Sequence, residues 1–133
     1  MELGTFGAIL GFAMDLEERA ATFYGRAAPG GLGRVFDKRA QDVKKRLRRL
    51  ERARRELVSE MILGSITGLD GDNYRVTLDA VADEATLLAQ ARDLEAASTR
   101  FYRDAATKMP IREVARLLKR LADEHARCGR EGG

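Results

Sequence analysis

The sequence has no tryptophan, two prolines, one histidine and one cysteine. A lone cysteine, Cys128, excludes a disulfide within the chain and fits a reducing, cytoplasmic setting. No run approaches the roughly 18 uncharged apolar residues that a membrane span requires. The opening segment from Met1 to Glu18 has Glu2 where a secretion signal carries positive charge, so it reads as part of the fold. Strand-like alternation is missing throughout. So are a nucleophile–base pair, a phosphate-binding glycine loop and a dinucleotide fingerprint, so the chain is not expected to be an enzyme of those kinds.

What is present is charge and helical period. Charged residues make up 34% and hydrophobic residues 44% of 133 positions, the balance of a helical domain with strongly polar outer faces. Apolar residues recur at steps of three and four in four segments. The first runs from about Leu3 to Ala28 through Phe6, Leu10, Ala13, Glu17, Ala20 and Tyr24, and stops at Pro29-Gly30-Gly31. The second runs from about Gly33 to Gly64 through Phe36, Ala40, Val43, Leu47, Leu50, Arg54, Leu57 and Met61. The third is expected over Tyr74–Lys108, with Leu78, Val81, Ala85, Leu88, Ala91, Glu95, Ser98 and Tyr102 inward. The fourth follows Pro110, with Val114, Leu118, Leu121, His125 and Cys128 inward. The sequence therefore predicts an all-α, antiparallel four-helix bundle over 1–133, with hairpins 1–66 and 74–133 and a crossover loop 67–73. Within that loop Asp70-Gly71-Asp72 opens like a calcium loop, but Tyr74, Arg75 and Val76 follow, so it reads as a turn.

Two stretches match at an offset of 78: DLEERAATFYGRAA from Asp15 and DLEAASTRFYRDAA from Asp93 share seven of fourteen positions. The shared Glu and Phe-Tyr indicate two related helical hairpins packed face to face. They also place Glu17 and Glu95 on apolar stripes at equivalent positions. A buried carboxylate is costly without a partner, and two facing one core repel unless positive charge lies between them.

The pattern Glu-x-x-small-x-x-Phe-Tyr-x-x-Ala-Ala, present from Glu17 to Ala28 and from Glu95 to Ala106, resembles the ligand helices of rubrerythrin-like proteins of the ferritin-like superfamily. The resemblance implies a di-iron bundle in which two helices each give one Glu and the other two each give Glu-x-x-His. Helices two and four depart from it. The implied Glu and His positions hold Val43 and Arg46 in helix two, and His125 and Cys128 in helix four. The resulting expectation is an eroded di-iron site with no cofactor, in which Arg46 supplies charge compensation for Glu17 and Glu95. The alternative keeps iron or zinc on a remodelled set of Glu17, Glu95, His125 and Cys128, and with it a redox or metal-handling role. Absence of a Cys-x-x-Cys pair removes the rubredoxin-type centre of full-length rubrerythrins. Read singly, His125 is a hydrogen-bonded core residue, Cys128 a small filler, and Tyr24 and Tyr102 core residues with hydroxyls on a carboxylate or the backbone.

Helix two is strongly basic. From Arg34 to Arg55 there are eleven Lys or Arg residues against three acids, an excess of eight where the whole chain carries +3. Lys44, Lys45, Arg48, Arg49, Arg52 and Arg55 are expected to face outward. They form either a solvated face or a surface for nucleic acid, an acidic protein or an anionic membrane. No base-reading set or helix-turn-helix spacing accompanies them. Phe12, Met14, Leu87 and the run Met61-Ile62-Leu63 with Ile66 add apolar surface beyond one stripe, which points to a homodimer or a larger protein complex. The functional expectation is a non-catalytic binding or assembly module.

Overall fold

The computed structural model describes residues 1–28, 32–58 and 66–131. Pro29-Gly30-Gly31, Met61-Ile62-Leu63 with Gly64, and the side chain of Leu57 lie outside them. Helix α1 spans Phe6–Ala27 and starts where the Thr5 hydroxyl accepts the Ala8 N–H at 3.0 Å. Helix α2 spans Gly33–Ala53 and continues as a π-helical turn over Arg54–Val58. Helix α3 spans Glu84–Lys108, capped by the Asp83 carboxylate on the Thr86 N–H at 2.8 Å. Helix α4 spans Arg112–Glu131. Among the described residues the only β-type pairing is one isolated bridge, Glu2 with Asp70. No described helix is long and apolar enough to cross a membrane.

The helices pack as pairs, α1 on α2 and α3 on α4, and the pairs close into a bundle. Two buried clusters show how the helices run. Phe36, near the start of α2, shares one cluster with Leu87, near the start of α3, and with Phe23 and Tyr24, near the end of α1. Leu50 and Ala53 of α2 share the other with Phe101 to Ala106 of α3 and with Phe6 to Leu16 of α1. Each hairpin is antiparallel, while α2 and α3 point the same way. That arrangement needs one long crossover from one end of the bundle to the other.

Residues 66–83 make the crossover. Ile66, Leu69 and Tyr74 belong to the first end, and Leu78, Ala80 and Ala82 pack at the second. The segment is pinned along its course. Leu3 donates its N–H to the Leu69 carbonyl at 2.8 Å, Tyr74 donates to Asp104 at 2.6 Å, and Arg19 donates to the Val76 carbonyl at 3.3 Å. Gly71 sits where an added Cβ would lie 2.5 Å from the Phe12 ring, so any larger residue would have to push that ring aside. Asp70-Gly71-Asp72 is a turn, with the Asp70 carboxylate accepting the Asp72 N–H at 2.9 Å and a 3₁₀ turn over Gly71–Tyr74.

The third helix therefore begins at Glu84, not near Tyr74, and the loop does not end at 73. Length explains the difference. Seven fully extended residues reach about 24 Å at most, short of the roughly 30 Å that a 20-residue helix spans. The inward face of α3 changes accordingly. Val81 is 89% exposed and Ala85 is exposed, whereas Leu87 is buried. Phe12 and Met14 also pack against the core, and Ile66 is buried within it. Phe12, Met14, Leu87 and Ile66, part of the apolar surplus that suggested assembly, are thus used within the bundle.

Candidate functional site

Between the two apolar clusters lies a polar layer. Helical phase puts it there. On α1, Leu16 faces one cluster and Ala20 the other, with Glu17 between. On α2, Leu50 and Val43 flank Arg46; on α3, Phe101 and Leu94 flank Glu95 and Ser98. His125 stands one turn beyond Ala122 on α4. Glu17, Glu95, Arg46 and His125 are each 1–2% exposed.

The four groups satisfy one another. Arg46 Nε donates to Glu17 Oε1 at 2.9 Å, and Tyr102 donates its hydroxyl to Glu17 Oε2 at 2.6 Å. His125 lies between the carboxylates, with Nε2 2.8 Å from Glu17 Oε2 and Nδ1 3.1 Å from Glu95 Oε1. The Tyr102 and His125 rings stack at 5.5 Å. With both carboxylates ionised each can only accept, so both imidazole nitrogens donate and His125 is an imidazolium. The layer then holds two negative and two positive charges and is neutral.

Electrostatics agree with that geometry. Burial disfavours the charged imidazole, but the Glu17 and Glu95 carboxylates outweigh it and push its pKa up to about 9. Burial also works against the Glu17 carboxylate, yet His125 first, then Arg46 and the Tyr102 hydroxyl, hold its pKa down at about 2. Burial, reinforced by the Glu17 charge, raises the Tyr102 phenol far above its usual range.

A family model described as a ferritin-like domain matches residues 7–128. The chain belongs to the ferritin-like family. Neither the curated proteins nor the solved structures compared with it contain a match. In this ferritin-like bundle the polar layer occupies the middle, where the four helices face each other.

Of the residues singled out from the sequence, Glu17, Glu95, Arg46 and His125 come together. Val43 is fully buried among apolar neighbours in the second cluster. Cys128 does not join them. Its carbonyl accepts from Arg39 at 2.8 Å, and burial, then the nearby Glu95 charge, pushes its thiol pKa up, away from the thiolate that binds metal. Among the described residues no three of His, Cys, Asp and Glu are placed to hold a metal ion together.

The basic face is only partly as expected. Lys44, Lys45, Arg48, Arg52 and Arg55 are exposed. Arg49 is half-buried and donates to Glu124 at 2.6 Å, and Arg52 pairs with Glu56 one turn on at 3.2 Å.

Two residues of this ferritin-like site lie outside the set singled out from the sequence. Arg39 is buried and donates to the Tyr24 hydroxyl at 3.2 Å, so Tyr24 meets a guanidinium, not a carboxylate. Glu124 stands off the apolar stripe but bridges Arg49 and, at 3.7 Å, Arg46. A signal for Arg39 exists. Phe36, Val43 and Leu50 alternate with Arg39, Arg46 and Ala53 in a seven-residue repeat on α2, all six buried. Two arginines at successive positions of that seam mark it as polar inside.

Proposed function

We propose that this ferritin-like chain is a metal-free binding or assembly module, in which the paired side chains of the polar layer replace the di-iron centre of rubrerythrin-like relatives. The observation that carries this reading is His125, held between Glu17 and Glu95 with both ring nitrogens engaged. A metal would have to displace a proton that both carboxylates hold on the ring. Arg46 occupies a position where the resemblance implies a histidine ligand, and a guanidinium cannot coordinate. Val43 offers no donor. A di-iron centre needs about four carboxylates and two imidazoles around its ions; the layer supplies two carboxylates already matched by two cations. The residues present therefore do not fit the centre, and no oxygen or peroxide chemistry follows from them.

Without a reactive centre, what remains to act is the surface, and α2 presents its largest excess of charge. The reading is tested by elemental analysis of purified protein, before and after dialysis against ferrous iron and zinc. The expected result is substoichiometric metal in both samples. Stoichiometric iron or zinc that disappears in Glu17→Gln or His125→Gln would sink it.

A further inference from the structure

Beside the polar layer, between α2 and α4, lies a cleft of about 270 Å³. Five of its lining side chains are cations: Lys38, Lys45, Arg46, Arg49 and Arg127. Against them stand only Asp42 and Glu124. Among the described residues Lys38, Lys45 and Arg127 form no ion pair, since the pairs at this face are Arg49 and Arg46 with Glu124 and Arg46 with Glu17. Arg49 Nε is buried with no hydrogen-bond partner, the one such side-chain atom among the described residues. A buried donor left unsatisfied is destabilising unless something accepts from it.

These observations share one explanation. We propose that the cleft binds a tetrahedral oxyanion, either inorganic phosphate or the phosphate group of a small phosphomonoester. A guanidinium presents a planar fork of donors matched to phosphate oxygens. Arg49 uses Nη2 on Glu124 and leaves Nε buried without an acceptor, so half its fork is unsatisfied until Glu124 moves aside. Lys38, Lys45 and Arg49 recur along α2 at steps of seven and four, one stripe facing the cleft, with Arg127 opposite on α4. The volume is at the small end of ligand pockets, which run from roughly 300 Å³ upward. It has room for a phosphate group. Glu124 holds the site when it is empty, its carboxylate 2.6 Å from Arg49 and 3.7 Å from Arg46. An arriving oxyanion takes over those guanidinium contacts and moves Glu124 toward solvent. Arg46 reaches the cleft at one end and Glu17 at the other, so the ligand also meets the polar layer.

The proposal adds a ligand class to the module described above and rests on that reading. The test is calorimetric titration of inorganic phosphate, and separately of glycerol phosphate, into the whole chain in chloride buffer. Metal content is measured on the same samples. One-site binding is expected, and the tighter of the two probes identifies the source of the phosphate. Arg49→Gln should weaken it by about tenfold or more, the scale of a hydrogen bond to a charged group. Glu124→Gln should tighten it, because the competing carboxylate charge is gone. Both residues are partly exposed, and circular dichroism checks that each variant keeps its helices. The proposal fails if neither probe binds, or if binding is indifferent to both substitutions. It also fails if a single-stranded oligonucleotide binds where phosphate does not, and loses that binding in Arg48→Gln/Arg52→Gln/Arg55→Gln, since the charge then serves the outer face of α2. Absence of phosphate binding in metal-free protein overturns this inference alone. Stoichiometric metal alongside intact phosphate binding overturns the metal-free reading alone.

Discussion

Arg46 and His125 are the residues on which the core depends, because each is a buried cation facing a buried anion. Removing one member of such a set leaves an uncompensated charge, which costs about 3–5 kcal/mol. Arg46→Met is expected to lower unfolding stability by that amount in urea titrations. Adding Glu17→Gln to it should recover a large part, because the orphaned carboxylate is gone. The pH dependence has a defined shape. His125 rises from 6.5 to about 9 on folding, so its contribution is complete below pH 6.5 and is lost as pH climbs through 9. Glu17 falls from 4.5 to about 2, so its contribution is complete above pH 4.5 and is lost as pH drops through 2. The urea midpoint should therefore form a plateau between pH 4.5 and 6.5 and decline on both sides, by on the order of 3 kcal/mol toward pH 9. His125→Gln should flatten the alkaline decline.

At the scale of elements, one side chain fixes the crossover to the start of α3. Gln90, on the first turns of α3, clasps Asp79 from both sides. Its carbonyl accepts the Asp79 N–H, and its amide donates to the Asp79 carbonyl at 3.0 Å. Gln90→Ala is expected to speed amide hydrogen exchange at Asp79 and its neighbours while leaving α1 and α4 protected, as for a locally opening segment. Exchange unchanged at Asp79 would show that packing of Leu78 and Ala80 holds the segment without the clasp. The helices themselves were legible in the sequence because their apolar period is sustained. The start of α3 was not. Leu78 and Val81 continue the phase of Ala85, Leu88 and Ala91, so periodicity alone extends the helix backward. The Asp83 cap on Thr86 carries the opposing local signal. What decides it is a demand of the whole fold, the distance from one end of the bundle to the other.

At the scale of the molecule, two apolar cores meet at a neutral polar layer. The repeat at offset 78 made Glu17 and Glu95 legible as a facing pair, and the register along α2 made Arg46 legible as their counter-charge. Arg39 was hidden because charged residues on a basic helix read as surface, and Glu124 because its reach comes from a long side chain off the stripe. Neutrality of the layer depends on one proton, the second proton of His125. The chain has a single histidine, so its ring nitrogens are unambiguous in a ¹⁵N nuclear magnetic resonance spectrum. At pH 7 the account predicts two protonated ring nitrogens, with the second proton lost only near pH 9. One unprotonated nitrogen at pH 7, or a ring nitrogen whose signal shows it bound to a metal, would contradict it.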